Sequence, residues 1–226
     1  MSRNVEETQH RLRAAASAEF AEHGVDGTTV TRIATRAGVN KERLYAYFGD
    51  KDALFDEVLT EALEELSRAV APDGLRFDDL GEFAGRTFDY YGQHPELARL
   101  LQWEGLRGAP PVNAAARVAH YARKVSAAAQ AQRDGVIDDR IDAGHLMFMI
   151  IGLAAWWFSV PQLATMLTGA EADVPGERAR RRAFVVEAAQ RLAGMQPDVS
   201  ASSLPITKPS GLSPERAASE SSTVLG

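Results

Sequence analysis

The chain has 226 residues, 45% of them hydrophobic and 25% charged, with a formal net charge of −6. This is the balance of a globular protein with room for a substantial core, and the complete lack of cysteine excludes disulfide frameworks and thiolate metal sites and fits a reducing cytoplasm. An acidic total argues against a protein coated in nucleic acid, but a local cationic face acts over about 8–10 Å before salt screens it, so the placement of Lys and Arg decides.

The N-terminal run "MSRNVEETQHRLR" has no apolar h-region, so no signal peptide is expected. Periodicity is helical along the chain, without a convincing alternating strand run. The spacing predicts a first helix over Glu6 to His23, with Leu12, Ala16 and Phe20 on one face and Gly24 as its C′ residue. The loop "GVDGTT" leads to a second helix, Val30 to Ala37, whose stripe is Val30, Ile33, Ala34 and Ala37, with Thr29 suited to N-capping it. Gly38-Val39-Asn40 separates it from a third helix, Lys41 to Phe48, which Asn40 can cap; Asp50 can cap a long fourth helix.

"APDG" (71–74) marks a boundary. Beyond it, helices are expected over about Phe77–Gln93, Pro95–Arg107, Asn113–Arg133, Asp142–Thr168 and Glu177–Met195, with Pro161 kinking or splitting the fourth. The apolar stretch "LMFMIIGLAAWWF" (146–158) is shorter than the roughly 20 residues of a membrane span and reads as a buried core helix. From Pro197 onward the Ser-, Pro- and Ala-rich tail has little to bury, and disorder is expected there. The expected division is 1–50, 51–74, 75–196 and 197–226: a compact first unit, a connecting helix, a larger helical unit and the tail.

A short helix, a glycine-containing turn and a second short helix have helix-turn-helix spacing, in which the second helix enters the major groove. At 100° per residue Leu44 and Phe48 define the buried side of the third helix. Glu42 and Ala46 point nearly opposite, Lys41 and Tyr45 lie on one flank, Arg43 on the other, and Tyr47 beside the buried edge. Tyr47 is thus expected mainly to pack and Tyr45 to face outward.

From Arg11 to Leu59 the sequence resembles the TetR/AcrR family of bacterial transcriptional regulators. The resemblance lies in "AAASAEFAEHGVDGTTVTRIATRAGVNKERLYAYFGDKDALFDEVL": phenylalanine before the "HG" turn, "TTV..IA..AGV", "LY.YF" and "K.AL" at the family's spacing. It implies an all-α fold, with an N-terminal three-helix helix-turn-helix domain followed by a helical-bundle domain for ligand binding and dimerisation. It implies phosphate contacts from Thr29, Tyr45, Tyr47 and Lys51, and base contacts from Thr31, Lys41, Glu42 and Arg43, with Arg32 and Asn40 in the same set. The chain departs from the family pattern at Glu42 and Arg43, where small residues are usual. Either the pair reads a G·C base pair, Glu42 accepting from cytosine N4 and Arg43 donating to guanine O6 and N7, or Glu42 pairs with Arg43, Lys41 or Arg36 on the protein surface.

The later helices are rich in aromatic residues, which either fill a core or line a pocket. The resemblance implies an apolar effector pocket, for which Tyr91, Trp103, Tyr121, Met147 and Trp156 are the candidates. It also implies a homodimer through helices 142–168 and 177–195, a double-stranded DNA operator as partner, and release of a repressor by a small hydrophobic effector. Activation is the minority behaviour of the family. Neither cofactor, metal nor membrane partner is expected. The five histidines are scattered, and the chain contains no H-E-x-x-H, no G-x-S-x-G and no phosphate-cradling glycine loop. An enzyme is therefore not expected; an all-helical small-molecule carrier without DNA function is the competing reading.

Overall fold

The computed structural model describes residues 3–71, 76–172 and 174–194. Among these it contains ten α-helices and no strand: α1 (Arg3–Gly27), α2 (Val30–Ala37), α3 (Lys41–Phe48), α4 (Lys51–Val70), α5 (Leu80–Gln93), α6 (Pro95–Leu106), α7 (Ala114–Arg133), α8 (Ala143–Ser159), α9 (Pro161–Thr168) and α10 (Glu177–Leu192). A 3-10 turn, Phe77–Asp79, precedes α5. The tail expected to be disordered, from 197 onward, lies outside the described residues, as do 72–75 in the expected boundary.

The caps explain why the short helices start and stop where they do. Thr29, with extended backbone, accepts from the Arg32 amide at 3.2 Å, and Gly38 closes α2 in the left-handed region at φ 65°. Asp50 accepts from the Ala53 amide at 2.8 Å and starts α4. Asn40 departs from expectation: its backbone is extended, as an N-cap requires, but its side chain makes no capping bond. The first helix also differs from the expected span. It begins at Arg3 and continues to Gly27 across a break at Gly24, which takes φ 70° and ψ 175°. Glycine belongs at that break, as its sequence position suggests, but another turn of helix follows it.

Further along, Pro161 divides the expected 142–168 helix into α8 and α9, bent by 91°. Among the described residues no single helix is long and apolar enough to cross a membrane.

One continuous set of buried side chains runs from Leu12 in α1 to Ala193, just past α10. Phe20 of α1 meets Phe55 of α4 edge-on at 5.3 Å between ring centroids, and Phe88 of α5 meets Phe158 of α8 at 5.0 Å. Phe20, Phe55 and Phe88 are fully buried, and each contributes about 1.5–3 kcal/mol by leaving water; Phe158 is partly buried. Helix α10 packs along α5 over Gly81 and Gly85, where an added β-carbon would lie 2.7 Å from Gln190 and 2.9 Å from Val186. The apolar helix α8 is only partly a core helix. Leu146, Met147, Ile150 and Ala154 are buried, but Phe148, Met149 and Trp156 are exposed.

Candidate nucleic-acid interface and helical-domain cavity

Helix α3 is held down by Leu44 and Phe48, both buried, and by Tyr47, which packs edge-on to Phe48 at 6.3 Å. Its other side faces solvent: Lys41, Glu42, Arg43 and Ala46 are exposed and Tyr45 is 51% exposed. The two tyrosines therefore divide as their spacing requires. Thr31 and Asn40 are exposed nearby, and Thr29 stands exposed at the start of α2.

A buried carboxylate organises the cationic side chains of α2. Glu19 of α1 accepts from the Thr28 hydroxyl at 2.8 Å and from Arg36 Nη1 at 3.1 Å, and its Oε2 lies 3.1 Å from Arg32 Nε. Burial alone would raise its pKa; the Thr28 hydrogen bond, Arg36, Arg32 and His23 together outweigh it and hold the carboxyl below its ordinary value. Arg32 also lies against His23, with Nη2 2.6 Å from the imidazole Nε2. Lys51 Nζ donates to the Thr28 carbonyl at 3.1 Å, tying the start of α4 to the start of α2. Arg32 and Lys51 thus have intramolecular partners, whereas Lys41 and Glu42 have no ion pair among the described residues. Arg43 makes one long contact, 3.4 Å from Nη1 to the Thr8 hydroxyl. Glu42 is therefore not neutralised by Arg36, which is engaged by Glu19.

The second feature is a half-open cavity of about 430 Å³ between α4, α5 and α7, with contributions from α6 and α8. Leu63, Phe83, Leu101 and Ile151 supply apolar wall, and Tyr91, Arg117, His120, Tyr121 and Lys124 supply polar atoms. The size lies within the roughly 300–1,000 Å³ of small-molecule sites. Tyr91 is buried, and its phenol is pushed up to about 12 by burial and by the neighbouring Tyr121 and Tyr90. Beside the cavity an open groove carries Asp56, Glu57 and Glu61, and Arg13 lies 2.9 Å from Glu57 and 3.0 Å from Glu61.

Of the five expected pocket residues, only Tyr91 and Tyr121 line this cavity. Trp103 turns the other way, to α1, where its indole N–H reaches the Ala21 carbonyl at 3.4 Å. Met147 is buried in the core, and Trp156 is 59% exposed on the outer side of α8. An aromatic or apolar residue type does not say which side of its helix meets which neighbour, so the five do not come together at one cavity.

Comparison with known proteins decides the family. Residues 12–58 match the family described as "Bacterial regulatory proteins, tetR family", and residues 79–191 match "Tetracyclin repressor-like, C-terminal domain". The chain is 42% identical over 170 residues, 74% of its length, to the HTH-type transcriptional repressor SCO4008 of Streptomyces coelicolor, covering 87% of that protein.

The chain belongs to the TetR family of bacterial regulatory proteins.

Its fold agrees. The crystal structure of SCO4942 from Streptomyces coelicolor superposes with a TM-score of 0.72 at 34% identity, over 82% of this chain and 97% of that one. The HTH-type transcriptional repressor NicS of Pseudomonas putida is 31% identical over 109 residues, 46% of this chain and 51% of that protein. In this TetR-family chain two features escaped the residue-level reading. Glu19 was not singled out, because one acid on an amphipathic helix carries no mark of burial. Lys124 had a readable signal, since Arg117, His120, Tyr121 and Lys124 recur at i, i+3, i+4 and i+7 along one face of α7.

Proposed function

We propose that the protein is a dimeric repressor that binds a palindromic operator through α3 and is released by a small effector held in the α4–α5–α7 cavity. The supporting observation is the α3 face, where Lys41, Arg43 and Tyr45 project from a short helix seated on Leu44 and Phe48. Cationic and phenolic groups there suit phosphate contact, with Thr29 and the free amides at the start of α2 adding a second anchor. Thr31, Lys41, Glu42 and Arg43 are the groups placed to reach base edges. Glu42 is costly beside phosphate, and with Arg36 engaged elsewhere it suits acceptance from cytosine N4, with Arg43 on guanine.

In this reading residues 1–50 are the reading head, α4 and the segment to 74 connect it to the rest, and 75–196 are the effector and dimer unit. The exposed stripe of Phe148, Met149 and Trp156 on α8, together with Phe184 on α10, supports an isologous contact between two copies through those helices. A dimer presents its two α3 helices to half-sites about 34–36 Å apart or a multiple of that. An effector weakens operator binding only by its preference for the conformer with the wrong spacing.

A gel shift with DNA from upstream of the gene tests the reading. The full chain is expected to retard a fragment at low salt and to release it as salt rises. If no upstream fragment is retarded while a hydrophobic ligand binds, the carrier reading replaces this one.

A further inference from the structure

The cavity lining carries three cationic side chains, Arg68, Arg117 and Lys124, and one carboxylate, Glu64. Its α7 wall presents Lys124, whose Nζ sits 5.3 Å from the centre of the Phe83 ring. Among the described residues Lys124 has no carboxylate partner. The other cations of the wall differ from it: Arg117 is paired with Glu104 at 2.7 Å, and Arg68 with Glu64 at 3.9 Å. Tyr91, a buried residue of α5, lines the same cavity, and its hydroxyl has no hydrogen-bond partner among the described residues. The remaining surface is largely apolar.

A half-buried ammonium with only a ring face beside it gives up hydration without recovering a counter-charge. Burial pushes Lys124 below its usual range, the direction expected of a cation that lacks its partner. Tyr91, raised to about 12, stays protonated at neutral pH and keeps its hydroxyl proton to donate to an anion.

We propose that the effector is an amphipathic organic anion, its acidic head group (carboxylate, sulfonate or phosphate) against Lys124 and Tyr91 and its apolar body against Leu63, Leu101 and Ile151. The inference rests on the reading of this cavity as the effector site. It goes further by fixing the charge of the ligand, even though an acidic groove lies next to the opening.

The test is a fluorescence titration of the full chain with two probes that share one ring system: anilinonaphthalene sulfonate and uncharged phenylnaphthylamine. The wild type should bind the sulfonate at least about tenfold more tightly, the value of one charge-assisted hydrogen bond. Lys124→Met should lose most of that preference and keep the neutral probe, and Lys124→Arg should restore part of it. A third titration uses cationic ethidium; tighter binding of ethidium than of the sulfonate overturns the proposal. Leu63→Trp, which fills the cavity, separates two kinds of failure. If it still binds both probes as the wild type does, or if the wild type binds neither, the cavity reading and the anion inference fall together. If Leu63→Trp loses both probes but Lys124→Met changes neither, the cavity reading stands and the anion inference alone is overturned.

Discussion

Trp103 lies directly on Gly24: a β-carbon at residue 24 would sit 2.9 Å from ring atoms Cδ2 and Cε3. The indole covers the break in α1, and its N–H reaches the Ala21 carbonyl one turn earlier. Two residues before Trp103 on the same helix, Leu101 lines the cavity; four residues after it, Arg107 pairs with Asp52 at the start of α4 and lies over the Phe55 ring. Helix α6 thus touches the cavity, the hinge of α1 and the base of α4 within seven residues. A shift of α6 on effector binding would reach both helices that support the α2–α3 pair, a contiguous packed route between the two regions.

Gly24→Ala is expected to destabilise the protein by about 2–4 kcal/mol. The backbone there, at φ 70° and ψ 175°, is a region essentially confined to glycine, costing about 1–3 kcal/mol for another residue, and the methyl group must also displace the indole. Urea denaturation followed by circular dichroism measures it. A change under about 0.5 kcal/mol, the scale of an ordinary surface substitution, would mean that neither the backbone nor the Trp103 contact is as described.

Glu19 gives the reading head an acid limit. Its folded-state pKa lies below the ordinary 4.5, so the charged form is the stabilised one. That stabilisation is complete above about 4.5, the unfolded-state value, and is lost as the pH falls through the lower folded-state value. Breaking a buried ion pair costs about 3–5 kcal/mol. Arg32 and Arg36, each near half exposure at 48% and 46%, regain water when released, so Glu19→Gln should cost about 1–3 kcal/mol at pH 7. The difference between wild type and variant should shrink in denaturation curves taken at successively lower pH below 4.5. A difference constant with pH would show that the carboxylate charge is not the source.

Phe184→Glu should yield a monomer. The Phe184 ring, 54% exposed, stands edge-on to Trp157 at 6.2 Å, on the α10 side of the proposed contact between copies. A charge placed there is left unpaired when two such faces meet. Analytical ultracentrifugation should find the wild type dimeric and the variant monomeric, with the helical circular dichroism spectrum retained. A dimeric variant would place the interface elsewhere.

Lys41→Ala and Glu42→Ala should behave differently on DNA. Loss of a phosphate contact at Lys41 should weaken all sequences alike and lower the slope of log affinity against log salt by about 1. Loss of a base contact at Glu42 should instead relax one position of the site, worth about 1–3 kcal/mol. Filter-binding titrations at several salt concentrations separate them; a reduced salt slope for Glu42→Ala would contradict its assignment, since a carboxylate releases no phosphate counterions.

The α2–α3 unit was legible in the sequence because its determinants are local. Glycine at 38, threonine at 29, aspartate at 50 and the Leu44/Phe48 spacing fix caps and faces without reference to the rest of the chain. The split at Pro161 was legible for the same reason. The cavity was not, because its walls come from helices far apart in sequence. Trp103 and Met147 have the composition of pocket residues but face other neighbours, and Asn40 has the chemistry of a cap without making the bond. Glu19 illustrates the converse: its role depends on Thr28, Arg32 and Arg36 arriving from the next two segments, which periodicity along α1 alone cannot convey.

The central claim is that two copies of the α3 face read two related half-sites. Selection of bound sequences from a random double-stranded DNA pool, run in parallel with wild type and Glu42→Ala, tests it most directly. The wild type should enrich a palindrome containing a G·C pair in each half, and Glu42→Ala should enrich the same palindrome with that pair relaxed. No enrichment, or a single site without symmetry, would contradict the dimeric reading; an identical consensus from both proteins would remove Glu42 from base recognition.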